Sequence, residues 1–377
     1  MKVLFFSPAG SVYGSERSLL TLLKARDFEA EVACPGGGAL EHELSKLKIQ
    51  VHELEFNRYS LRQNPFWHLK LFLRLHAVLR SVKPDVVVIN LDGNTPLVTI
   101  AAVTKKIPIV RFCRFEYHPP TRWIDRWSLL KARSIICPSE LVKQQILAWA
   151  PPYFHDRAHR IYEACSVCQV RPEDSSVFRQ QYGLGDSHLI SYVGRLHRDK
   201  RIDVAIKSLA ILRRQLGDVR LLIIGEHDGS LSGEVYQEEL SRLADELDVK
   251  DAVTFTGYIP EDCLPIVISA SRAIVLPSES ESFGMVLMEA WAQGVPTVAS
   301  DVGGCREITL ASGGGMLAPV GDAEAFAAKL FNMLTHADTA YSLGQSGKTW
   351  VSKNCSIASY ASQFNSILIK SRSANDD

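Results

Sequence analysis

Short runs of β-branched and aliphatic residues alternate with longer amphipathic stretches along almost the whole chain, and this alternation restricts the fold more than any other feature. The runs V-L-F-F-S, A-E-V-A-C-P, I-Q-V-H-E-L, D-V-V-V-I-N, I-P-I-V-R-F, S-I-I-C-P and R-I-Y read as buried strands with helical segments between them. After the polar stretch from Arg171 to Gly185 the pattern restarts with L-I-S-Y-V-G, R-L-L-I-I-G, A-V-T-F-T-G, R-A-I-V-L-P and V-P-T-V-A-S. Parallel strands need helical crossovers covering both faces, so each half predicts a doubly wound α/β sheet. At 377 residues the chain is too long for one typical core. The expected division is 1–168, rejoined by a carboxyl-terminal helix over 355–372, and 169–354. In such sheets ligands lie beyond the carboxyl ends of the strands, so the strand-to-helix loops are where function is sought.

Composition excludes several classes. With 46% hydrophobic and 22% charged residues the chain is neither disordered nor fibrous, and 42 basic against 42 acidic side chains leave no global attraction to nucleic acid. The first apolar run, Val3 to Phe6, is shorter than the roughly 7–15 residues of a signal-peptide core, and none approaches the roughly 18 of a membrane span. A cytoplasmic chain is expected. Cysteines are scattered at irregular spacings, and Cys165-Ser-Val-Cys168 is the one C-x-x-C: either a metal or redox pair, or two packed thiols.

The loops of the second half share a chemistry. Its strands end in Gly194-Arg195, Gly225-Glu226, Gly257-Tyr258, Pro277-Ser278 and Ser300 to Gly304, so backbone can approach a ligand at adjacent strand ends, as in a nucleotide or phosphate cleft. Arg195 and Lys200 precede a helix predicted from Ile202 and suit an anionic group, although Arg198 and Arg201 leave a merely solvated basic loop open. From Met285 to Ala292 every residue is apolar except Glu289. A helix so apolar is normally buried, and an unpartnered buried carboxylate is costly. The spacing predicts a helix starting around Ser282 to Gly284, with Glu281 at its mouth and Glu289 on its second turn, tilted back toward that mouth. First-turn N–H groups near Phe283, Gly284 and Met285 would meet a phosphate oxygen, and Glu289 could accept from the vicinal hydroxyls of a ribose.

These residues resemble a known family. Glu281 and Glu289 in E-S-F-G-M-V-L-M-E-A, followed by A-Q-G-V-P-T-V-A-S-D-V-G-G-C-R-E, are similar to the signature of the retaining glycosyltransferases of family 4, of the bacterial polysaccharide or lipopolysaccharide type. G-S-E-R from Gly14, Y-V-G-R-L-H-R-D-K and F-T-G-Y-I-P match further motifs of that family. The resemblance implies a GT-B fold, two Rossmann-like domains facing each other across a cleft, the first binding acceptor and the second a UDP- or GDP-sugar. It implies a retaining hexosyltransferase acting on a glycan or lipid-linked acceptor, by attack on the leaving-group side. By the same resemblance, Arg195 and Lys200 neutralise the diphosphate, and Phe283, Gly284 and Met285, with Ser282, Gly194 and Gly225, line the donor. Glu281 then contacts the transferred sugar, Glu289 the ribose, Gly14 the phosphates, and Glu307 gives structural support. Many members carry a histidine where this chain reads Arg114-Phe115-Glu116-Tyr117-His118, so Arg114, Glu116 and His118 are the catalytic candidates on that side. E-A-C-S-V, from Glu163, stands in place of the family's N-G-V-D.

Positioned cations and helix-terminal amides can stabilise a leaving phosphate without a metal, and no D-x-D pair follows a strand, so no obligatory divalent ion is expected. Two other classes share this architecture: a nucleotide-sugar-binding protein without transfer activity, and a dinucleotide oxidoreductase. The second lacks its G-x-G-x-x-G after the first strand, where only Gly10 and Gly14 occur. Finally, 65–83 reads as a helix with Trp67, Leu71, Leu75, Val78 and Val82 on one stripe. Its other face interleaves Lys70, Arg74, His76 and Arg80 with Phe66, Leu69 and Leu73, as in a helix on an anionic membrane surface or a crossover covered by a loop.

Overall fold

The computed structural model describes residues 1–56, 64–92, 95–116, 122–165, 170–227 and 231–373. The chain forms two units: Met1–Ala164 with Ile357–Asp377, and Cys165–Ser356. The two crossings therefore fall at Ala164/Cys165 and Ser356/Ile357, which places Cys165 in the second unit.

Unit 1 is built on β1 (Lys2–Phe6), β2 (Glu29–Cys34), β3 (Gln50–Glu53), β4 (Val86–Ile89), β5 (Ile109–Phe112), β6 (Ser134–Cys137) and β7 (Ala158–Arg160), in the order β3-β2-β1-β4-β5-β6-β7. Unit 2 is built on β8 (His188–Val193), β9 (Val219–Ile224), β10 (Val253–Gly257), β11 (Ala273–Leu276), β12 (Thr297–Ser300) and β13 (Gly315–Ala318), in the order β10-β9-β8-β11-β12-β13. All strand pairs are parallel. Both sheets are covered on two faces. In β1, Val3 and Phe5 point into one core and Leu4 and Phe6 into another, the period-two alternation of a strand buried on both sides.

Two strands differ from the sequence reading. β7 is two residues earlier than R-I-Y, because Ala158, His159 and Arg160 pair with Ile135, Ile136 and Cys137. β13 was not anticipated at all. Its G-M-L-A is a short apolar run behind the glycines from Gly313 to Gly315, and it is held at the edge by register with Thr297 to Ser300. A Cβ at Gly315 would meet the Thr297 carbonyl oxygen at 2.4 Å, so the residue that weakens the strand signal is the one the pairing needs.

The helix Ile357–Ser373 returns the chain to unit 1 and inserts Tyr360, Phe364, Ile367 and Leu368 among Phe5, Phe28 and Phe112. Phe364 stacks on Phe112 with centroids 5.6 Å apart. A buried polar network fixes the same place. Arg114, just past β5, donates to Glu163, to Ser18 at 2.9 Å and to Asn90 at 3.0 Å, and Ser18 also bonds Glu163 and the Tyr360 hydroxyl. Burial opposes the charge of Arg114, but Glu163 and Tyr360 together outweigh it and keep the guanidinium protonated. Glu163 immediately precedes the first crossing and Tyr360 closely follows the second, so one guanidinium ties both crossing segments to the sheet. Removing one member of such a pair strands the other without compensation. Arg114→Ala and Glu163→Ala should each lose about 3–5 kcal/mol in urea unfolding. Amide exchange should rise first in 357–373; wild-type stability of either variant would exclude this anchoring role.

Candidate active site

In unit 2 the strand order reverses between β8 and β11, and the loops leaving these two strands diverge there, the position where open α/β sheets bind ligands. The loop after β8 carries Gly194, Arg195 and Lys200. The loop after β11 carries Ser278, Glu281 and the segment to Gly284, and ends at the mouth of the helix Met285–Ala292. Gly284 caps that helix at φ 96°, a left-handed conformation that favours glycine.

The two loops are joined by charge. Lys200 Nζ lies 2.6 Å from Glu281 Oε1 and 3.8 Å from Asp199 Oδ2, and Ser278 Oγ donates to the same Glu281 oxygen at 3.0 Å. The backbone repeats the connection: Glu279 N–H donates to the Asp199 carbonyl at 2.7 Å, and Gly304 N–H to the Glu281 carbonyl at 2.7 Å. Gly304 opens the helix after β12, where an added Cβ would fall 2.4 Å from the Ser282 oxygen and 2.5 Å from Phe283 Cα. The 281–283 segment therefore rests directly on main chain, which fixes the helix mouth.

The basic loop is not a uniformly solvated run. Arg198 pairs with Glu239 at 2.7 Å, and Arg201 with Asp203 at 3.1 Å and Glu279 at 3.5 Å. Arg195 is exposed, while Lys200 is held at the switch point. Gly225 follows β9, and its Cβ would lie 2.0 Å from the Gly194 carbonyl oxygen, so the loops after β8 and β9 are in direct backbone contact. Glu289 sits on the second turn as read from the spacing, but it is half-buried; the helix buries Val286, Leu287, Met288, Ala290 and Trp291 while leaving Glu289 toward the surface. Phe283 and Gly284 are buried, and Ser282 and Met285 are half-buried. Glu307 is half-buried on the helix Gly303–Ser312. Ser278 was read only as a strand end, and Asp199 was not singled out by the sequence reading. Their only signal is proximity, three residues from Glu281 and one from Lys200.

In unit 1, Gly14 begins the helix Gly14–Lys24, and Glu16 accepts from the Tyr13 N–H at 3.3 Å and from Ser15 at 2.8 Å. Burial raises the Glu16 carboxyl above its ordinary pKa, with Ser15 and Tyr13 acting against it. Arg114, a catalytic candidate by position, is buried in the network described above and is structural by its contacts; Glu116 is half-buried. His118, Tyr117 and Cys168 lie outside the described residues. Among the described residues no group of three or more His, Cys, Asp or Glu side chains could hold a metal ion.

Comparison with known proteins identifies the family and the fold. Residues 14–164 match the model for Glycosyltransferase Family 4, and 174–350 that for Glycosyl transferases group 1. Similar curated proteins include the alpha-D-kanosaminyltransferase of Streptomyces kanamyceticus, 29% identical over 50% of this chain and 48% of that protein. The GDP-mannose-dependent alpha-(1-6)-phosphatidylinositol monomannoside mannosyltransferase of Mycolicibacterium smegmatis is 32% identical over 48% of each. The chain spans about half the length of the curated relatives it matches. Among solved structures, Anabaena Alr3699/HepE in complex with UDP-glucose superposes with a TM-score of 0.85 at 21% identity, covering 98% of this chain and 100% of that one. The lipopolysaccharide outer core galactosyltransferase WaaB gives 0.72 at 20% identity over 98% and 99%. The fold is GT-B, and with the two models following each other along nearly the whole sequence, the chain belongs to the glycosyltransferases of family 4.

Proposed function

We propose that the protein transfers a sugar from a nucleotide-diphosphate sugar to a hydroxyl of a glycan or lipid-linked acceptor, with retention of configuration. The observation that supports this most is the convergence of Lys200, Glu281, Ser278 and the mouth of the helix Met285–Ala292 at the strand-order reversal of unit 2. Without an anion, Glu281 neutralises Lys200. A diphosphate displaces the ammonium toward itself and leaves Glu281 to accept from the sugar hydroxyls. The first-turn amides of Met285 and Val286 precede the helix's own hydrogen-bond ladder, so charge growing on the leaving phosphate meets donors at that mouth. Arg195 adds a second cation, and Glu289 takes the ribose. A solved neighbour that holds UDP-glucose and a relative named for GDP-mannose both support a nucleotide-sugar donor. The oxidoreductase alternative loses its support with the family match; the binding protein without transfer is separated by turnover of labelled nucleotide sugar.

The acceptor side is proposed to work at an anionic membrane surface. Phe66, Leu69 and Leu73 are 82%, 56% and 59% exposed on the helix Pro65–Val82, beside exposed Lys70, Arg74 and Arg80. The buried stripe is Leu71, Leu75, Leu79 and Val82, with Trp67 and Val78 partly covered. His76 is half-buried, and its Nε2 bonds Thr104 at 3.1 Å. Apolar groups this exposed among cations suit an interface that takes both, and a relative named for a phosphatidylinositol mannoside supports a lipid-linked acceptor. Among the described residues no helix is long and apolar enough to cross a membrane.

Three outcomes test these assignments. Arg195→Ala should lower kcat by about 10²–10³ with little effect on folding. The two glutamates should act with opposite sign on free UDP or GDP: Glu289→Gln weakens it by about 10–100-fold, through loss of hydrogen bonds to a charged acceptor. Glu281→Gln frees Lys200 and so retains or tightens the free nucleotide while turnover falls; parallel losses in calorimetry would contradict the separate roles. Binding to vesicles containing anionic lipid should fall with salt and fall further in a Lys70→Glu, Arg74→Glu variant, each cation contributing about 1 kcal/mol. A wild-type protein that stays off such vesicles at low salt would make this helix a crossover only.

A further inference from the structure

Tyr192, in the strand that leads into the basic loop, is wholly buried yet carries a hydroxyl to the strand's carboxyl end. That hydroxyl donates to the Arg195 carbonyl at 2.8 Å, and the His197 N–H donates to the same oxygen at 3.0 Å. The approach requires glycine at 194, where a Cβ would lie 2.6 Å from the phenolic oxygen. On its other side this turn meets Gly225, so residues 194–195 are held between a phenol and a neighbouring main chain. The ladder runs on either side of this carbonyl: Gly194 N–H donates to Ile224 and Leu196 N–H to Glu226, both at 3.0 Å.

We infer that Tyr192 is a positioning residue for sugar transfer, its buried hydroxyl fixing the Arg195 main chain and so aiming the guanidinium at the donor diphosphate. The inference rests on the reading of Arg195 as a phosphate ligand. The phenol does no acid–base chemistry in this role. Burial, then the nearby Glu281 and Asp199 carboxylates, hold its pKa well above the ordinary tyrosine value, so it remains a donor throughout the working pH range. A phenylalanine would pack equally well in the core and fail only at the carbonyl.

The test is a double-mutant cycle between Tyr192→Phe and Arg195→Ala, reading kcat, KM and melting temperature with a UDP- or GDP-sugar donor. Tyr192→Phe alone should lower kcat about 5–10-fold, the worth of one ordinary hydrogen bond, and leave KM for acceptor unchanged. In the Arg195→Ala background it should lower kcat no further, because there is no guanidinium left to aim. Gly194→Ala, which forces the turn off the phenol from the other side, should show the same dependence on Arg195. Equal losses in both backgrounds, or wild-type kcat in Tyr192→Phe, would overturn the inference. Failure of the underlying reading looks different: Arg195→Ala would then turn over like wild type, which removes the ligand and with it the need to aim it.

Discussion

Because every strand in each unit runs parallel to its neighbours, all strand-to-helix loops of a unit emerge at one edge of its sheet. The rest of the structure follows from that constraint. Glycines at 194, 225 and 304 let four of these loops in unit 2 touch through main chain in two pairs, those after β8 and β9 and those after β11 and β12, which leaves side chains free to converge where the strand order reverses. There a lysine from one loop meets a glutamate from the other at 2.6 Å. The pair is shielded but not sealed, with side chains 15% and 17% exposed, so an incoming anion can compete for the ammonium without the cost of opening a buried ion pair.

The equivalent edge of unit 1 is used differently. Arg114 stands just past β5, at a place comparable to that of the donor-side loops, but its guanidinium faces inward to Asn90, Ser18 and Glu163. Two segments that depart from the family pattern on that side, the one from Arg114 where many members carry a histidine and E-A-C-S-V from Glu163, thus contribute the halves of one buried ion pair. Either substitution alone would leave a charge uncompensated in the interior; together they satisfy each other and secure the helix that returns from unit 2.

Much of this was legible in the sequence, and the reasons are physical. Strands buried on both faces leave uninterrupted β-branched runs, so eleven of the thirteen strands were placed closely from V-L-F-F or R-L-L-I-I alone. β13 was illegible because an edge strand needs only one partner, and this one has just three apolar residues after a glycine run. The helix of Met285 to Ala292 was legible from a single carboxylate in an apolar run, yet the degree of burial of Glu289 was not, since that depends on what packs across the helix. Pairwise partners were the least visible: the Lys200–Glu281 contact spans 81 positions and the Arg114–Glu163 contact 49, and nothing local in either segment announces the other.

The central claim is that the strand-order reversal of unit 2 holds the diphosphate of a nucleotide-sugar donor. A crystal structure with UDP or GDP bound tests it most directly. The diphosphate should lie within hydrogen-bond distance of Lys200 Nζ and of the first-turn amides of Met285 and Val286, with the 2.6 Å contact between Lys200 and Glu281 lengthened or broken. A nucleotide bound elsewhere, or one that leaves that contact intact with its phosphates in solvent, would contradict the account.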